Sequence, residues 1–131
     1  MSYEFQAREN TVIRRTGKRT KLWGTMTLGA GALIAFIGVT AALTGGEFGV
    51  AAGVVYLLLA LIPIFIGRNF RRAGNALIAV VTTEGNDIDH LMNSMDGLGR
   101  AFLIQAAAAA LWAMLMLAGI ALAITVPELG A

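Results

Sequence analysis

Three stretches of this chain carry no charge for about as long as a helix needs to cross hydrocarbon, roughly 20 residues. They are residues 22–44, 48–67 and 101–126. In lipid an unpaired backbone N–H or C=O has no water to turn to, so a span of this length and composition must be a helix or part of a closed barrel. Continuous apolar runs, rather than alternating ones, select the helix. The rest of the composition agrees. Of 131 residues, 57% are hydrophobic and only 14% are charged, and mean hydropathy is +0.73. A water-soluble domain could not cover that much apolar surface with so few charges. The sequence therefore predicts an all-α integral membrane protein with three transmembrane helices. A basic segment followed by an apolar run also fits a signal peptide, but the first run is longer than a signal core.

The basic residues predict orientation. All ten Lys and Arg fall in two places. Arg8, Arg14, Arg15, Lys18, Arg19 and Lys21 precede the first span, and Arg68, Arg71, Arg72 and Arg100 lie between the second and third. Loops rich in Lys and Arg stay in the cytoplasm. The expected arrangement is N-in and C-out, in a plasma (inner) membrane. A basic cytoplasmic segment 1–21 leads into transmembrane helix 22–44. An extracytoplasmic turn 45–47 joins it to a second transmembrane helix, 48–67. A cytoplasmic segment 68–100 follows, then a third transmembrane helix, 101–126, and an extracytoplasmic tail, 127–131. The basic face is expected to meet anionic lipid headgroups. No nucleic acid is expected as a partner, because topology signalling already accounts for these charges.

The first span carries the clearest packing pattern. Gly24, Gly31, Gly38 and Gly45 recur every seven residues, with Leu28, Ala35 and Ala42 between them. The second span has Gly49, Gly53, Ala60 and Gly67. Helices in lipid associate through close contact of small residues. The expected interface is therefore Gly24, Gly31, Ala35, Gly38 and Ala42 on one helix, with Gly49, Gly53 and Ala60 on the other. Thr44-Gly45-Gly46-Glu47 has room only for a tight turn, so the two helices are antiparallel neighbours. Gly45-Gly46-Glu47-Phe48 matches four letters of the diguanylate cyclase signature, but the soluble α/β domain that activity needs is missing around it. Pro63 should bend the second helix by removing a donor to Leu59.

Segment 68–100 continues both neighbouring helices. Ile66, Phe70, Ala73, Leu77 and Val80 form one stripe at helical spacing, and Ile88, Leu91, Met92, Met95, Leu98 and Phe102 form another. A breaker cluster near residues 84–86 separates them. The prediction is a cytoplasmic antiparallel helical hairpin that extends spans two and three. Its arms should pack through Phe70, Leu77, Val80, Ile88, Leu91, Met95 and Leu98. Its polar docking surface should comprise Arg71, Arg72, Glu84, Asp87, His90 and Asp96, with Asp96 level with Arg71 and Arg72. Residues 76–82 also carry strand propensity, but no second candidate strand exists to pair with them.

Candidates for chemistry are few. There is no cysteine, so there is no disulfide or thiolate metal site. Asp87 and His90 share a helix face as metal ligands can, but capping acids beside a solvated histidine are the simpler reading. No catalytic residue, metal or cofactor is assigned. No Asp, Glu, Lys, Arg or His lies inside a span, which argues against a proton relay or an ion-coupled transporter. The expected function is that of a small accessory subunit, not an enzyme, that forms a homo-oligomer or joins other membrane subunits. Its hairpin would be the docking surface. The alternatives are an oligomeric pore lined by Thr25, Thr27, Thr40 and Thr44, and a metal or enzymatic site at the hairpin tip.

Overall fold

The computed structural model of the chain describes residues 5–125, and among these there are no strands. Three long helices make up the protein: α1 (Ala7–Thr44), α2 (Gly49–Thr82) and α3 (Asp87–Thr125). All three are long and apolar enough to cross a membrane. The end of the third span at Val126, the tail 127–131, and residues 1–4 lie outside the described residues.

Each helix is far longer than a bilayer requires. The 38 residues of α1 rise about 57 Å, against a hydrocarbon core of roughly 30 Å. The basic segment and the first span are thus one helix. It starts where the Gln6 N–H donates to Glu9 Oε2 at 2.8 Å, an acid placed favourably for the helix dipole. It ends where the Gly45 N–H bonds Ala41 O at 2.9 Å. A single 3-10 turn, Gly46–Phe48, carries the chain into α2. Gly46 has φ +61° there, a conformation that favours glycine. Helix α2 continues through Pro63 to Thr82. The next reversal uses Gly85 at φ +93°, and Asn86 O accepts the first bond of α3 from the His90 N–H.

Helix α2 is the centre of the molecule. Its Gly49, Gly53, Ala60, Gly67 and Gly74 are buried at positions that meet α1. Its Ile66, Phe70, Ala73, Leu77 and Val80 are buried as well. Ile66 and Phe70 form a cluster with Ala101 of α3, flanked by Ile62, Leu98 and Ile104. Among the described residues, α1 and α3 nowhere come within 8 Å of each other, Cα to Cα.

The α1–α2 contact is made by backbone. Gly17, Gly24, Gly31 and Gly38 are the only buried residues of α1. Opposite them stand Gly74, Gly67, Ala60 and Gly53, so each step of seven up one helix meets a step of seven down the other. A methyl group built on Gly24 would lie 2.6 Å from Arg71 N and 2.7 Å from Gly67 O, and one on Gly67 would lie 2.7 Å from Gly24 O. The α-hydrogens that occupy those directions face carbonyl oxygens, a weak attraction repeated along the seam.

Candidate functional site

The polar end of the molecule gathers the first three turns of α1, the last turns of α2 and the first turns of α3. Sequence reasoning predicted two rods here, and α1 supplies a third. A methyl group on Gly17 would meet Leu77 Cβ at 3.0 Å and Gly74 O at 3.1 Å, so the glycine seam runs on into the charged segment. The signal was present: Gly17 lies seven residues before Gly24, and Gly74 seven after Gly67. The polar composition of residues 7–20 hid it.

The seam residues predicted from sequence fall as follows. Gly24, Gly31, Gly38, Gly49, Gly53 and Ala60 are buried, and Ala35 and Ala42 are half-buried beside them. Tyr56 is 41% exposed, with its Cβ against Gly38.

The α2–α3 face needs correction. Phe70, Leu77 and Val80 are buried, Leu91 and Leu98 are half-buried, but Ile88 and Met95 are each 54% exposed. The packed face of α3 runs instead through Asp87, Ser94, Gly97 and Ala101. Ser94 Oγ donates to Ala73 O at 3.1 Å, and a methyl on Gly97 would lie 3.2 Å from Ala73 Cβ. The physical reason is close approach. Where two backbones come near, the line of contact selects the smallest side chains, and the bulky ones move to the flanks. Phe102, 57% exposed, is such a flanking residue: its ring meets Phe70 edge to face, with centroids 5.4 Å apart.

The predicted polar surface divides into three parts. Asp96 pairs with Arg100 on its own helix at 2.7 Å, and not with Arg71 or Arg72 across the hairpin as expected from their level. Both side chains of that pair are well exposed, so it adds little to stability. Arg71 and Arg72 join Arg68, Asn75 and Leu28 around an open hollow of about 480 Å³. Glu84 and Asp87 line a separate cavity with Phe5 and Asn10. His90 is half-buried and does not line that cavity. Among the described residues, no three His, Cys, Asp or Glu side chains stand together as a metal cluster.

No protein family, curated protein or solved structure matches this chain. Its chemistry must therefore be read from its own surfaces. The threonines proposed as a pore lining all return their hydroxyl protons to their own helix. Thr25 bonds Lys21 O, Thr27 bonds Trp23 O and Thr40 bonds Phe36 O, each at 2.9 Å, and Thr44 bonds Thr40 O at 2.8 Å. That is how threonine satisfies itself against lipid. The least buried span is that of α3. Residues 109–121 are exposed throughout, including Trp112 at 64% and Leu117 at 67%. Only 6% of the most apolar window of α3 is buried, against 22% for α2.

Proposed function

We propose that this chain is a small accessory subunit of a membrane assembly, completed by other copies or other subunits packing against α3. Its N-terminus and the α2–α3 hairpin lie in the cytoplasm, and its C-terminus lies outside. The observation that carries this reading is the exposed span of α3. The α1–α2 pair is in contact along its length, while residues 109–121 are exposed throughout. An alanine-rich helix left so exposed by its own chain is suited to close packing by a second helix. The hairpin is the docking surface on the cytoplasmic side.

The chain has no cysteine, so single cysteines report without background. Cysteines placed at Ala113 or Gly119 should form cross-links to a second polypeptide in native membranes, and the particle in mild detergent should exceed the monomer mass. A cysteine at exposed Val54 of α2 serves as the control. Monomeric particles, with no cross-link from any face of α3, would remove the proposal.

The arginine hollow fits an anionic headgroup at the membrane boundary. Arg68, Arg71 and Arg72 supply the charge, and Leu28 offers an acyl chain a place to rest. Each basic residue near a charged surface contributes about 1 kcal/mol. Changing all three arginines to glutamine should strip co-purifying anionic lipid while leaving neutral lipid in place. Native mass spectrometry measures both, and unchanged anionic lipid would count against the hollow.

A further inference from the structure

At the polar end, the start of the chain, the end of α2 and the turn into α3 line a partly open cavity of about 260 Å³. Phe5, just before α1, and Asn10 of α1 line it, with Val80, Val81, Thr82 and Thr83 from the end of α2 and Glu84 and Asp87 from the turn into α3. Asp87 is 6% exposed, the only acidic side chain buried among the described residues. Its Oδ1 is fully enclosed and has no hydrogen-bond partner among the described residues, and the same is true of Asn10 Oδ1. The Asn10 amide nitrogen donates to Phe5 O at 3.1 Å, which leaves the oxygen as its unengaged end.

The other polar side chains that line the cavity accept rather than donate, and the start of α3 puts the positive end of its dipole beside Asp87. The hydroxyls of Thr82 and Thr83 spend their protons on Ile78 O and Ala79 O and keep their lone pairs. The last carbonyls of α2 have no intrahelical donors and carry the negative end of the helix dipole. Among the described residues, no Lys or Arg lines the space. A buried carboxylate oxygen without a donor is costly, and the two residues that carry the orphaned oxygens line one cavity.

We propose that this cavity binds a divalent, oxygen-preferring cation. Asp87 and Asn10 are the inner ligands, Glu84 adds a second carboxylate at the rim, and water and α2 carbonyls complete the shell. Magnesium suits the donor set best, since it is held by one or two carboxylates and keeps several of its waters, whereas calcium favours a fuller protein cage. Zinc does not suit it, because there is no cysteine and His90 stands elsewhere. The ion ties the start of α1 to the α2–α3 turn. This site is independent of the accessory-subunit reading.

The test uses the full chain in lipid nanodiscs, with thermal unfolding and calorimetry in magnesium, calcium or sodium chloride at matched ionic strength. Magnesium or calcium should raise Tm saturably and sodium should not, because a ligand that binds only the folded state stabilises it. Asp87→Asn should abolish the response. Glu84→Gln, at an exposed position, should retain the fold and weaken affinity by about tenfold, so the test stands even if the Asp87 variant misfolds. No divalent response up to about 10 mM, beyond the roughly millimolar range of weak calcium modules, would overturn the site. So would an equal response in wild type and both variants.

Discussion

Gly24→Ile will separate α1 from α2. The new side chain would enter a space where even its first carbon lies 2.6 Å from Arg71 N and 2.7 Å from Gly67 O. Neither is the far end of a flexible side chain, so the helices must part. Overpacking of this kind costs about 3 kcal/mol or more, and the cost spreads along the seam because the teeth share one interhelical distance. Gly29→Ile is the control. Nothing lies within 4 Å of a methyl at Gly29, so the change there should stay within about 0.5 kcal/mol. Unfolding in mixed micelles of mild detergent and dodecyl sulfate measures both. Equal midpoints for the two variants would show that the seam does not hold α1.

Ala73→Leu has the next largest expected effect. Ala73 is fully buried, as is Ala101 of α3. Ala73 faces Gly97, and its carbonyl takes the Ser94 hydroxyl bond. A leucine there should force α3 off α2 and cost about 2–3 kcal/mol. Met95→Ala, on a side chain that is 54% exposed, should cost little. Hydrogen exchange of the amides in residues 87–100 should quicken in the first variant and not in the second. The reverse order would mean that Met95, and not Ser94, points at α2.

How far the sequence could be read depends on which physical rule governs each part. The spans were legible because hydrocarbon thickness and backbone bonding leave few options, so three long apolar helices were expected, and three are present. The seam was legible in its middle, where glycines repeat in an apolar run with nothing competing for attention. Its extension to Gly17 and Gly74 was missed because charge was read as a sign of the surface. A helix can be charged on three sides and still place one glycine row against a neighbour. The α3 face was misread for a related reason. Apolar periodicity finds the bulky stripe, and Met92, Met95 and Phe102 make one. Closest approach is decided by size, which puts Ser94, Gly97 and Ala101 on the contact line and displaces the large residues by one position. Asp87 was legible as an acid favourable to the dipole at the start of α3. Phe5 and Asn10, nearly eighty positions away, line the same cavity as the buried Asp87, a juxtaposition that no local pattern carries.

The three-residue turn Gly46–Phe48 carries more responsibility than its size suggests. A row of identical teeth spaced at seven is a ratchet with several equivalent stops: moving α2 one notch along α1 would bring glycine or alanine opposite glycine again almost everywhere. The teeth therefore fix how near the two rods lie but not which notch they occupy. That choice is made at the bend, where the connecting chain is too short to reach any other stop. Lengthening it by one notch's worth of residues would turn a single registration into two of similar depth, and would shift every group at the far end, the arginines and Asn10 included, by about 10 Å for a rise of 1.5 Å per residue.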